Sequence, residues 1–206
     1  MKVALLGATG RVGTEILSFL LNDKYEVSTL TRTPEKIHTT SPLLSVIKGD
    51  AKNYEDIQNV IDGNDLVISA LNTDGSDTLS ITTPHLIKAM KKKGLHRIIT
   101  IGTAGILQSR IEPEVFRFQS SESRRKTTRA AEEHLRVFQQ LNASSLNWTI
   151  VCPTYLPDGK LTKKYRYAAD FLPEAGREIS VQDTAHFAFK QIENQEFVKK
   201  RVGISY

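Results

Sequence analysis

Three glycines set three residues apart, in Gly7-Ala8-Thr9-Gly10-Arg11-Val12-Gly13, dominate the reading of the amino terminus. They follow an apolar run, Val3 to Leu6, and lead straight into Val12, Ile16, Phe19 and Leu20, which recur at helical spacing. A strand, a glycine turn and a helix in that order leave unpaired N–H groups and a positive dipole end facing the turn, where an anion is stabilised. Glycines there let the backbone approach a pyrophosphate closely. Gly7, Thr9, Gly10, Arg11, Val12 and Gly13 are therefore candidate dinucleotide-binding residues. No Gly-Lys-Ser/Thr follows, which excludes the phosphate loop of kinases and ATPases.

The rest of the chain repeats the alternation. Short apolar runs occur at Glu26 to Leu30, Ser45 to Lys48, Leu66 to Ala70, Arg97 to Ile101 and Trp148 to Val151, with a final one at Arg201 to Ile204. Their near-continuous apolar character predicts burial on both faces. Between them, Ile57, Val60 and Ile61, then Leu86, Ala89 and Met90, then Ala131, Leu135 and Phe138, then Ala185, Phe189 and Ile192 mark helix stripes. Gly94 after Lys91 to Lys93 reads as a left-handed helix cap with cations at the negative dipole end. The pattern predicts an α/β fold, a doubly wound parallel sheet in one domain over 1–206, with a small carboxyl-terminal substrate-covering region over approximately 154–182. The 206 residues suffice for one substantial core.

Composition removes other classes. No apolar run reaches the roughly 20 residues of a membrane span, and a single cysteine, Cys152, supplies neither a disulfide nor a thiolate cluster, so a reducing cytoplasmic setting is expected. The net charge of +5 is scattered in short clusters without interleaved aromatics, so no nucleic-acid partner is expected. The five histidines form no metal-ligand spacing, and no metal is expected; no Gly-x-Ser-x-Gly elbow supports a hydrolase.

Further candidates lie where the strands end, since ligands bind at the carboxyl edge of such sheets. Thr31-Arg32-Thr33 ends the second strand without the acid that usually holds a ribose hydroxyl. Arg32, and Arg11 as a second cation, can grip an adenosine 2′-phosphate, which predicts NADP(H) in preference to NAD(H). Asp50 has two readings, an acceptor for the adenine amino group or a cap for the helix beginning near Asn53. Ala70 and Leu71 are small or apolar enough to line adenine and ribose. Sheet order places Thr103, and Pro153, Thr154 and Tyr155, nearest a nicotinamide; the Thr103 hydroxyl either bonds the ligand or caps local backbone. Lys126 either binds the nicotinamide ribose or belongs to a solvated face with Arg124 and Arg125. Arg110, Arg117 and the Lys160 to Arg166 group give a weak preference for an anionic substrate.

Thr31 to Lys36, Lys48-Gly49-Asp50, Asp65 to Leu71, Leu146 to Pro153 and Ile179 to Ala185 follow the glycine loop in an order that resembles the atypical short-chain dehydrogenase/reductases of the NAD(P)H-binding, NmrA-like and biliverdin reductase B/flavin reductase type. The resemblance spans essentially the whole chain. It implies a Rossmann fold, NADP(H) as ligand and, in enzymatic members, reduction of flavins or quinones. It further implies that Pro153 packs near the nicotinamide and that Thr154 offers its N–H to the carboxamide. Thr103 stands where such reductases carry a serine.

Two departures matter. Cys152-Pro153 replaces an Arg-Pro pair, and the Tyr-x-x-x-Lys pair of typical short-chain dehydrogenases is missing, because Glu122 stands four residues before Lys126. Without that tyrosine, carbonyl reduction lacks its usual acid, whereas hydride transfer to a flavin needs mainly placement. A flavin-like or quinone-like acceptor is expected, with Thr103 and Tyr155 as candidate catalytic groups. The alternative is a non-catalytic NADP(H)-binding sensor acting through a protein partner; an epimerase or dehydratase of nucleotide sugars would want the Tyr/Lys pair. The first two differ over whether Gly105 to Phe118 and Tyr155 to Gly176 form an open apolar pocket over the nicotinamide or an exposed patch for another protein.

Overall fold

The computed structural model describes residues 1–123 and 127–206, and Lys126, Arg124 and Arg125 lie outside the described residues. In chain order the elements are β1 (Lys2–Leu6), α1 (Arg11–Asn22), β2 (Glu26–Thr31), β3 (Leu44–Lys48), α2 (Tyr54–Ile61), β4 (Leu66–Ser69), α3 (Thr78–Lys93), β5 (Arg97–Ile101), α4 (Arg129–Asn142), β6 (Asn147–Pro153), β7 (Arg166–Ala169), α5 (Val181–Lys190) and β8 (Lys200–Ser205). They form one eight-stranded sheet in the order β3-β2-β1-β4-β5-β6-β8-β7. All pairings are parallel except β7 with β8. This is the expected Rossmann-like doubly wound architecture, with the direction of winding reversed beside β1.

Period-two alternation within each strand divides the core. Ala4 and Leu6 of β1 face α2, α3 and α4, where Ile57, Ile61, Leu86, Met90 and Leu141 pack together with Trp148 of β6. Val3 and Leu5 face α1 and α5, against Ile16, Leu20, Ala185 and Ala188. Helices on both faces explain why the central strands read as unbroken apolar runs. Gly94 closes α3 in the left-handed region at φ 70°, behind three lysines. Among the described residues no helix is long and apolar enough to cross a membrane.

Two expectations are corrected. The run Ser45 to Lys48 forms β3, but as an edge strand whose Val46 is 38% exposed. Its connection from β2 carries only a 3-10 turn at Pro34–Lys36, so no crossover helix shields it. Residues 154–182, expected to cover the substrate, also contain a strand that the sequence reading lacks. Arg166–Ala169 has no apolar run and is mostly exposed, yet it pairs antiparallel with the otherwise open edge of β8.

Between β6 and β7 the chain forms a strap over residues 156–164, fastened to the start of α5. Asp183, fully buried, accepts bonds from the Thr162 amide at 3.0 Å, the Thr162 hydroxyl at 2.7 Å, the Lys163 amide at 2.8 Å and the Tyr206 hydroxyl at 2.7 Å. Burial alone raises a carboxyl pKa, but here the bonds from Tyr206, Thr162 and Lys163 outweigh it and hold Asp183 below its ordinary value. A depressed folded pKa stabilises above the unfolded value and is lost as pH falls through the folded one. Asp183→Asn is expected to destabilise the protein by about 2 kcal/mol at neutral pH, in urea titrations. The gap from wild type should shrink once pH falls below about 4.

Candidate active site

The glycine loop is built by close packing. Gly7 follows β1 at φ +82°, and a Cβ there would meet the Ala70 carbonyl oxygen at 2.5 Å. A Cβ on Gly13 would lie 2.0 Å from the Gly7 carbonyl oxygen, so only glycine lets α1 seat directly on the loop. The Gly10 amide donates to Gly7 O at 3.0 Å, and the Thr14 hydroxyl donates to Ala8 O at 3.0 Å and Gly10 O at 2.9 Å, which closes the turn. Gly10 is the N-cap and supplies no side-chain cap, and the first turn holds no acid. Helix geometry leaves the amides of Arg11, Val12 and Gly13 without intrahelical acceptors. The loop therefore offers donors, a dipole end and backbone access, a donor set that fits a pyrophosphate.

Along the carboxyl edge of β2, β1 and β4 lies a cavity of about 210 Å³. The structure brings Gly7, Thr9, Gly10, Arg32, Asp50, Ala70 and Leu71 together in it. Arg32 is exposed there and makes no ion pair among the described residues. Lys36 lines the same cavity, and sequence reasoning missed it. Its signal was Pro34, which starts a 3-10 turn and folds Lys36 back towards Arg32. Asn72, Asp74 and Thr78 complete the wall; Asp74, at φ 43°, accepts from the Ser76 and Thr78 hydroxyls.

Two assignments change here. Asp50 does not cap α2, because the Asn53 side chain does so by accepting from the Glu55 and Asp56 amides at 2.8 and 3.2 Å. Asp50 instead accepts from the Lys52 amide at 2.9 Å and faces the cavity. Arg11 does not reach the Arg32 cavity. Its Nε and Nη2 donate to Asp158 at 3.1 and 2.6 Å, and Nη2 also donates to the Leu156 carbonyl at 3.0 Å. A carboxylate 147 residues away captures it, which local spacing cannot reveal.

Beyond β5 and β6 the edge opens into a larger cleft of about 930 Å³. Thr103, Thr154 and Tyr155 line it, with Phe118, Ala131, Arg117 and Arg177. Thr103 caps the 3-10 turn Ala104–Ile106 by accepting from the Gly105 amide at 3.4 Å, which leaves its O–H as a donor. The Thr154 hydroxyl donates to Arg177 O at 3.0 Å. Tyr155 is 61% exposed at the rim, while its carbonyl accepts from the Ile179 amide at 2.9 Å. Pro153 lies buried at the end of β6 and does not line the cleft. Behind it, burial pushes the Cys152 thiol up to about 12, so this cysteine is a core residue.

Sequence reasoning also missed how Glu122 is held. It accepts from the Ser109 hydroxyl at 2.6 Å and the Arg110 amide at 2.9 Å, with Arg117 Nε 3.9 Å away. Burial acts to raise its pKa, but the bonds from Ser109 and Arg110 and the charge of Arg117 bring it below the ordinary value. Glu122 is thus a fixed anion on the cleft wall.

A family model described as NAD(P)H-binding matches residues 7–195. The uncharacterized protein YwnB of Bacillus subtilis is 25% identical over 215 residues, covering 99% of this chain and 98% of its own. A crystal structure from Bacteroides thetaiotaomicron, provisionally named an epimerase, is 28% identical with TM-score 0.86 over 100% of this chain and 96% of that one. A structure from Streptococcus pneumoniae, provisionally named an NADH-flavin reductase, is 25% identical with TM-score 0.81 over 100% and 99%.

The seat of α1 gives a direct test. Gly13→Ala is expected to destabilise the fold by about 1–3 kcal/mol in denaturant titrations, because a backbone carbonyl cannot yield as a side chain would. Nucleotide binding measured by calorimetry should fall with it.

Proposed function

The chain belongs to the NAD(P)H-binding family, and from that premise we propose that it is an NADPH-dependent reductase passing hydride to a planar flavin-like or quinone-like acceptor. The observation that carries this reading is the large cleft beside the glycine-loop cavity on the same edge of the sheet, with Thr103 and Thr154 among its lining residues. Segments from both Gly105 to Phe118 and Tyr155 to Gly176 wall that cleft. The cleft is open and its lining is mixed, with Thr103, Arg117, Glu122 and Arg177 beside Phe118 and Ala131; room for a small molecule on the cofactor edge is what a reductase needs and a sensor does not.

The bound dinucleotide supplies the hydride. The chain's own residues bind and orient. Amides at the start of α1 take the pyrophosphate, and Arg32 with Lys36 takes the 2′-phosphate, as charge-assisted bonds from two cations. The Thr103 hydroxyl and the Thr154 amide would hold the carboxamide, and the exposed Tyr155 ring would offer a stacking face to a planar acceptor. Proton supply separates acceptor classes. Glu122, at the position of the missing tyrosine, is held as an anion and gives no proton near neutrality. A flavin or quinone can draw its proton from water, so placement supplies the rate.

Mixed anaerobically with NADPH and FMN, riboflavin or a quinone, the protein is expected to oxidise the cofactor, followed by its absorbance. Arg32→Ala and Lys36→Ala should each weaken NADPH binding about tenfold or more while leaving NADH nearly unchanged. Tight NADPH binding with no oxidation by any acceptor would contradict catalysis and favour the sensor.

A further inference from the structure

Arg11 stands at the first position of α1, yet its guanidinium reaches across to the strap and grips Asp158 through Nε and Nη2 and Leu156 through its carbonyl. We propose that this pair is a releasable clasp that closes the strap over the glycine loop and sets how fast the dinucleotide leaves, an inference resting on the loop being the dinucleotide site. Three observations support it. The strap and the loop face each other, since Thr9, Gly10 and Arg11 share a cavity of about 460 Å³ with Asp158, Gly159 and Val181. The far end of the strap is pinned, because Thr162 and Lys163 are bound to buried Asp183. Its near end is held by the Arg11–Asp158 pair, whose side chains are 55% and 89% exposed, together with one backbone bond from the Val181 amide to Pro157 O at 3.1 Å.

That contrast in burial makes one end an anchor and the other a latch. A buried carboxylate with several donors stays bonded, whereas an exposed ion pair is weak and screened by salt. The strap follows directly from Thr154 and Tyr155 on the cleft, so opening the latch frees the glycine loop and loosens the chain beside the substrate region together. Asp158 acts through Arg11 and is a positioning residue.

The test uses Asp158→Asn, Arg11→Gln and the double variant of the full-length protein, with two readouts. Hydrogen exchange without nucleotide is expected to quicken in each variant at the Val181 amide, which donates to Pro157 O beside the latch, and to stay unchanged at the anchored Thr162 and Lys163 amides. Stopped-flow displacement of NADPH by excess NADP is expected to show dissociation about threefold to fivefold faster in each single variant. The double variant should be no faster than either, and all should converge with wild type at high salt. Slower release from Asp158→Asn would mean that a freed Arg11 grips phosphate directly, and would overturn the clasp. Unchanged exchange and unchanged release would overturn it too. Failure of the wild type to bind NADPH would instead remove the dinucleotide reading, and the exchange data alone would then show whether the strap is latched.

Discussion

The carbonyl of Gly7 occupies the place where any other residue at position 13 would put its Cβ, and the carbonyl of Ala70 does the same at position 7. Those two contacts bring three pieces of backbone, the end of β1, the start of α1 and the end of β4, closer than side chains permit. A helix seated this tightly points its open amides along the crevice where the sheet reverses direction, which is where anions and ligands collect in such sheets. Everything placed around the crevice depends on that seat. Arg32 and Lys36 stand on one side of it, Thr103 and Thr154 on the other, and the strap reaches over it.

The central sheet was legible because both of its faces are buried, so composition alone marks the strands. The edges were not. β3 has an apolar run without a helix to cover it, and β7 has no run at all, because Arg166, Tyr167 and Ala169 are exposed and its register comes from the open edge of β8. Local sequence carries little information about a strand whose partner supplies the ordering.

The site divides in the same way. Residues fixed by backbone geometry, Gly7, Gly10, Ala70 and Leu71, fall in one cavity as their positions after strands require. Long side chains do not follow from position. Arg11 and Arg32 look alike on paper, but one is claimed by Asp158 and the other faces the cavity. Glu122 looked like a gap left by an absent tyrosine, and Ser109 with the Arg110 amide gives it a fixed charge instead. Lys36 was hidden among surface lysines until the turn begun by Pro34 placed it. Lys126, expected at the nicotinamide ribose, lies outside the described residues.

Shape along the carboxyl edge thus grades from a narrow cavity beside β2, where Arg32 and Lys36 stand with Asp50 and Asp74, to a wider cleft beside β6. That gradient matches a dinucleotide laid across the edge, with its phosphates at α1 and its reactive end in the cleft. A crystal structure of the protein with NADP addresses this most directly. Pyrophosphate oxygens are expected within hydrogen-bond distance of the Arg11 and Val12 amides, with the 2′-phosphate against Arg32. A dinucleotide lying with its pyrophosphate away from α1, or no bound nucleotide at saturating concentration, would contradict it.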